Sequence, residues 1–307
     1  MARRDFLARI TLGLSAHNIQ APAKINLFLA ITGRRPDGYH DLLSVAAPLV
    51  WGDSVEAEPL ASGFTLECAD AEVPTGASNL VIKAATAFAE ATGWASGARF
   101  TIKKRIPMGA GLGGASSDAT SALLALNALA GSPLDEAGLL RVAASVGSDC
   151  ALFLSRTPVV MRGRGERVEP LPKEAYSRFR GMRVLLFKPG FAVPTSWAYA
   201  KMAADAPRGY VTPARAESML SAWVSKPGAP LDDFLFNSME KPVFAKFPAL
   251  PALLERIWSS FGVAGRMSGS GSACYVFLHE DIEAAPIEAA IREAWGPSAF
   301  VVETRIA

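Results

Sequence analysis

A chain of 307 residues, half of them hydrophobic and a fifth charged, can bury a large core and exceeds most single domains, so two domains are expected. Its net charge of +2 supplies no broad basic field for nucleic acid or an anionic membrane, so neither is expected as a partner and any anionic ligand must be held locally. The three cysteines lie far apart, with no C-x-x-C and no Cys/His grouping at metal spacing, and read as buried thiols of a reducing compartment rather than as disulfides or a fixed metal site.

Residues 1–19 are expected to form an N-terminal extension. "RRDFL" has the look of a twin-arginine export signal. Arg9 interrupts its apolar stretch, however, and cleavage after "APA" would cut just before Lys24, so the export reading is rejected. Residues 23–31 alternate and then become wholly apolar, which predicts a strand closed by the turn-forming "TGRRPDGYH". Further strands are predicted at 43–50, 64–68 and 99–106, and a helix over 79–92 stopped by Gly93. Residues 116–130, rich in Ala and Leu, predict a second helix, and Ser132 and Asp135 are candidate caps for a third that runs to about Val146.

The longest apolar segment, 119–131, falls well short of the roughly 20 residues of a membrane span, so a soluble cytoplasmic protein is expected, as monomer or homodimer. The turn-rich "RGRGERVEPLPKEAYSRFRG" marks a boundary, giving domains of 20–175 and 176–307. The second half predicts a strand at 182–187, helices near 196–204, 213–224 and 248–261, and two strands flanking the glycine loop "RMSGSGSACYVF". The class is α+β with two domains.

The stretch "PMGAGLGGASSDA", residues 107–119, carries the chemistry. Gly109, Gly111 and Gly114 satisfy G-x-G-x-x-G, but a dinucleotide fold places that motif after its first strand and an acid about 20 residues on at the end of the second. Here Asp135 sits at that distance and starts a helix instead. A protein kinase needs H-R-D and D-F-G, both missing from the chain, and a Walker loop needs a lysine that this loop lacks. A strand, a glycine loop whose N–H groups an anion can approach, and a helix N-terminus together predict a phosphate cradle. Its residues are Pro107, Met108, Gly109, Ala110, Gly111, Leu112, Gly113, Gly114 and Ala115. Ser116 and Ser117 are either ligands of Mg²⁺ or phosphate oxygens, or helix caps. Asp118 reads as a first-turn acid that complements the helix dipole.

Three blocks, "PAKINLFLAITGRRPDGYHDL", "PMGAGLGGASSDA" and "MSGSGSACYVF", taken in order, resemble the GHMP family of small-molecule kinases from about Gln20 onward. The resemblance implies an N-terminal domain like a ribosomal-protein fold and a ferredoxin-like C-terminal domain. It also implies ATP on the glycine loop, with Mg²⁺ arriving with the nucleotide, and a third block around Gly269 and Gly271 that closes the site. It makes Asp149 of "GSDCALF" the base that takes the substrate hydroxyl's proton and sets Lys24 beside it, a charge complement suited to phosphoryl transfer. Family members commonly show Asp-Val-Pro-Val where this chain has Asp149-Cys150-Ala151-Leu152.

The resemblance, through the G-Y-H of the first block, further implies a cytidylyl methylerythritol substrate of the non-mevalonate isoprenoid pathway. Asn26, Tyr39 and His40 map onto positions that hold it, with His40 toward the cytosine edge and Tyr39 on its face. By the same resemblance Tyr199 falls where a second aromatic completes the stack, or is core; Thr195 is expected at the substrate diphosphate, and Asn79 maps near the adenine pocket or caps its helix. Three alternatives stay open: a homoserine- or mevalonate-type kinase, a catalytically silent binding protein of the same fold, and a dinucleotide oxidoreductase.

Overall fold

The computed structural model of the chain describes residues 17–307. The export-signal question and the first 16 residues of the expected extension lie outside the described residues. Two compact units interleave along the sequence. The first takes the segment up to Pro22 with 52–105 and 114–154, and the second takes 23–51, 106–113 and 155–307. Strands β1 (His17–Arg34) and β2 (His40–Leu60) each contribute to both. Residues 17–19, read as extension, are the start of β1.

In the first unit, β4 (Gly97–Lys103) pairs antiparallel with the second half of β2 and parallel with β3 (Phe64–Cys68). Three helices, α1 (Leu80–Thr92), α2 (Gly114–Leu129) and α3 (Glu136–Val146), share its core of Val81, Phe88, Phe100, Leu123 and Leu126. The start and stop of α1 follow local chemistry: Asn79 Oδ1 accepts from Val81 N at 2.8 Å, and Gly93 ends the helix at φ 70°. Helix α2 buries nearly every residue from Ser117 on, and its Ala and Ser positions let neighbouring elements come close on all sides. Asp135 caps α3 through Gly138 N at 2.8 Å. Ser132, read as a second cap, is instead a turn residue at φ 60°.

In the second unit, β1 from Ala23 to Ile31 is buried on both faces, Lys24 and Asn26 included, which is why the alternation at its start gives way to a wholly apolar run. The first half of β2 pairs with β5 (Val159–Gly163), β5 pairs with β6 (Arg167–Pro170), and the short β8 (Phe236–Asn237) lies parallel to β1 at Phe28 and Leu29. A separate antiparallel sheet has the order β11-β7-β10-β9, with β7 at Arg183–Lys188, β9 at Gly265–Met267, β10 at Cys274–Leu278 and β11 at Phe300–Arg305. Two helices, Ala249–Phe261 and Ala284–Trp295, follow its first and third strands and pack on it through Leu253, Ile257, Ile287 and Ile291. Strand-helix-strand-strand-helix-strand in that sheet order is the expected ferredoxin-like arrangement.

The turn-rich stretch before residue 182 holds β6 and the short helix Lys173–Tyr176, structure its Gly and Pro content concealed. The helix Ala284–Trp295, stopped by Gly296 and Pro297, and strand β11 are two further elements beyond those expected from the sequence. Among the described residues no helix is long and apolar enough to cross a membrane.

Candidate active site

The glycine loop is pinned by its carbonyls. In the second unit, Gly109 O accepts from Ser272 N at 3.4 Å, Ala110 O from Ala273 N at 3.1 Å, Gly111 O from Ser268 Oγ at 3.0 Å and Leu112 O from Lys24 N at 2.9 Å. In a trans peptide the C=O and the following N–H point in opposite directions. Four consecutive carbonyls turned toward β1 and the 268–273 loop therefore turn the N–H groups of Ala110, Gly111, Leu112 and Gly113 away from that framework. A row of N–H groups turned to one side is the arrangement that cradles an anion. The path needs left-handed φ at Gly109 (60°), Gly111 (75°) and Gly113 (75°). At Gly111 a Cβ would also stand 2.2 Å from Ser268 O, so no other residue fits. The chain then enters α2 at Gly114.

Beside the loop, Lys24 is 4% exposed and donates from Nζ to Asn26 Oδ1 at 2.5 Å. Ser44 Oγ gives its proton to Phe28 O at 2.7 Å and so accepts from Asn26 Nδ2 at 2.9 Å, which fixes the amide with its oxygen toward Lys24. Asn26 is thus engaged at both ends of its amide. A buried ammonium demands such partners. Thr195, the first residue of the helix Thr195–Ala204, shares a hydrogen bond with Ser270 Oγ at 2.8 Å.

The nucleoside-binding candidates form an aromatic group in the same unit. The His40 ring lies 4.8 Å from Tyr199, tilted by 35°, and 5.9 Å from Tyr210 at a steep 62°. Burial and the charge of Arg34 hold the His40 imidazole below its ordinary pKa, so it is neutral near pH 7. Its Nε2 is buried without a hydrogen-bond partner. Tyr39, 54% exposed, carries the Arg164 guanidinium 4.7 Å from its ring centre. Tyr210 was missed in the sequence because no motif surrounds it.

In the first unit, α2 begins two residues ahead of Ser116, so Ser116 and Ser117 sit inside the first turn and neither is a cap. Ser117 is fully buried and its Oγ has no partner. Asp118 does not serve the helix dipole as expected. It accepts from Lys104 Nζ at 2.8 Å, and Lys104 also pairs with Asp53, in a cluster whose side chains are at most 9% exposed. Burial, with Asp53's charge added, outweighs Lys104 and raises the Asp118 carboxyl to about 7. Asp149 is half-buried in the turn between α3 and a 3-10 helix at Ala151–Leu154. Its neighbour Cys150 is buried, and burial pushes the thiol up to about 11. Cys274 is likewise buried, and Cys68 only half-buried.

A search of family models matches the GHMP kinase N-terminal domain over residues 79–156 and the GHMP kinase C-terminal domain over 219–297. The 4-diphosphocytidyl-2-C-methyl-D-erythritol kinase of Methylacidiphilum infernorum is 40% identical over 267 residues, covering 86% of this chain and 87% of that protein. The protein of that name from Thermus thermophilus is 37% identical over 277 residues, covering 90% and 92%. A crystal structure of 4-(cytidine 5'-diphospho)-2C-methyl-D-erythritol kinase superposes with a TM-score of 0.73 at 35% identity, over 95% of this chain and all of that one. A mevalonate kinase from Methanococcus jannaschii superposes with a TM-score of 0.72 at 12% identity, a likeness of fold alone. The chain belongs to the GHMP kinase family, among relatives that are 4-diphosphocytidyl-2-C-methyl-D-erythritol kinases.

Proposed function

We propose that the protein transfers the γ-phosphate of ATP to the 2-hydroxyl of 4-diphosphocytidyl-2-C-methyl-D-erythritol, releasing ADP. The observation that carries the reading is the row of outward N–H groups held by four pinned carbonyls, a cradle fitted to nucleotide phosphates. Relatives at 37% and 40% identity bearing that kinase's name support the choice of substrate. The mevalonate-type alternative has support only at 12% identity, and a mevalonate would leave the His40 and Tyr199 group without a base to hold.

The phosphates are assigned to the cradle from Pro107 to Ala115, and Ser116 and Ser117 to phosphate oxygens or Mg²⁺. Ser117 Oγ, buried and unpartnered, is an oxygen that phosphate or Mg²⁺ would satisfy. Mg²⁺ bound with ATP would neutralise charge on the transferred group. Asp149 is assigned the base and accepts the hydroxyl proton, while Lys24, oriented by Asn26, offers its ammonium to developing negative charge. His40 would present Nε2 to the cytosine edge, with Tyr39 and Tyr199 on its faces, and Thr195 would meet the diphosphate. Asn79 is assigned to the adenine side while it caps α1.

The domains are taken as 20–175 and 176–307, with one matched family segment on each side of that boundary. A cytoplasmic location is supported by three free cysteines. The test is ADP release with ATP, Mg²⁺ and, in turn, the cytidylyl alcohol, mevalonate and homoserine. Turnover confined to the first is expected, and faster turnover of either other alcohol would overturn the assignment.

A further inference from the structure

The loop that grips the cradle is itself held by one buried amide. Asn237, 5% exposed at the end of β8, donates from Nδ2 to Met267 O and to Gly269 O, both at 2.8 Å, while its Oδ1 accepts from Met239 N at 2.9 Å. All of its polar atoms are engaged, and they bracket Ser268 from either side. Glu240, three residues on, accepts from Met267 N at 2.9 Å. Between these anchors Ser268 is closed into a tight loop, its N–H donating to Ala273 O at 2.9 Å and its carbonyl accepting from Gly271 N at 3.0 Å. From that fixed frame Ser268 Oγ reaches Gly111 O at 3.0 Å and accepts from Asn26 N at 3.4 Å.

We propose that Asn237 is a positioning residue for the phosphate cradle: by holding the Met267 and Gly269 carbonyls it sets the loop whose Ser268, Ser272 and Ala273 turn the carbonyls of Gly109, Ala110 and Gly111 inward. The inference rests on the kinase reading. It gives a function to the stretch "FNSME", residues 236–240, which carries no recognisable sequence motif. The amide is suited to the task because one NH₂ bonds two carbonyls at once while the amide oxygen is spent on Met239 N. An alanine removes all three bonds and frees the loop to shift, and misplacements of about 1 Å remote from the chemistry are enough to weaken a site by orders of magnitude.

The test measures binding apart from turnover. Calorimetric titration of Mg-ATP and, separately, of cytidine 5'-diphosphate is run on the wild type, Asn237→Ala and Ser268→Ala, at a temperature where circular dichroism shows each variant folded. Asn237→Ala is expected to weaken Mg-ATP about tenfold or more and to leave cytidine diphosphate within twofold. Ser268→Ala, which deletes one hydroxyl and keeps the frame, is expected to weaken Mg-ATP several-fold, and the double variant to fall short of the product of the two, since both act on the same loop. Unchanged Mg-ATP affinity in both single variants overturns the proposal, as does equal weakening of the two ligands. If Asn237→Ala does not fold, Ser268→Ala decides alone by the same readout. A wild type that binds Mg-ATP without phosphorylating the cytidylyl alcohol sinks the functional assignment and leaves the Asn237 test standing, and one that binds no Mg-ATP overturns both.

Discussion

Replacing Lys104 with methionine is expected to cost more stability than any other single change to a charged group in the first unit. The ammonium lies between two carboxylates, Asp53 and Asp118, whose side chains are 0% and 5% exposed, and is itself 9% exposed. Methionine keeps the apolar stem and deletes the charge, which leaves both acids buried without their cation. Asp53 retains the Arg105 N–H at 2.5 Å, whereas Asp118 Oδ1 already lacks a partner. Breaking a buried pair costs about 3–5 kcal/mol. The lower end is expected here, because Asp118, raised to about 7, can take a proton. For a domain of this size, about 3 kcal/mol lowers Tm by roughly 6–12 °C.

The pH dependence has a defined sign. A carboxyl whose folded pKa is raised above its unfolded value favours the fold while protonated, so Asp118's contribution is fully present below the ordinary carboxylate range and is lost as pH rises through about 7. Loss of Lys104 raises it further. Thermal melts followed by circular dichroism should therefore show the full deficit of Lys104→Met at pH 8 and a smaller one at pH 6. A Tm within 2 °C of the wild type at pH 8, or a deficit that does not shrink at pH 6, refutes the electrostatic account.

Gly111→Ala should lower Mg-ATP affinity by about tenfold or more, because its Cβ meets Ser268 O at 2.2 Å and its φ of 75° costs an L-residue about 1–2 kcal/mol; calorimetry checks this, and an unchanged affinity would mean that the loop path is wrong. His40→Ala should raise KM for the cytidylyl alcohol about tenfold and leave KM for ATP within twofold, measured by coupled ADP release. Asp149→Asn should lower kcat at least a hundredfold with Mg-ATP affinity retained, since general-base contributions run about 10²–10⁴. Near-normal turnover would remove Asp149 from the base's role.

What was legible in the sequence is what local chemistry dictates. Asn79 and Gly93 bracketed α1, Asp135 marked the start of α3, and the run at Ala23 to Ile31 announced a strand, though its alternating start, with Lys24 and Asn26, did not show that both faces are buried. The glycines announced backbone that must approach something closely, and the left-handed φ values at Gly109, Gly111 and Gly113 agree. What could not be read is the set of partners that distant segments supply. Ser268 lies 157 residues from Gly111, and Asn237 about thirty from the carbonyls it holds; the glycines beside Ser268 marked its loop as part of the site, but neither hydrogen bond could be read from the residues nearby. Asp118 was misjudged for a related reason: the expected helix start put it in the first turn, but α2 begins at Gly114, and Asp53 of β2 and Lys104, just past β4, come to it from distant segments. Ser132 looked like a cap by residue type, yet the turn before α3 needed a left-handed residue there, and Asp135 took the capping bond.

The most direct test follows the phosphate itself. In a single turnover with γ-labelled ATP, Mg²⁺ and 4-diphosphocytidyl-2-C-methyl-D-erythritol, the label is expected on the 2-hydroxyl of the alcohol, with one ADP formed for each phosphate transferred. Label appearing only as inorganic phosphate, or moving to mevalonate or homoserine while the cytidylyl alcohol stays unlabelled, would contradict the account.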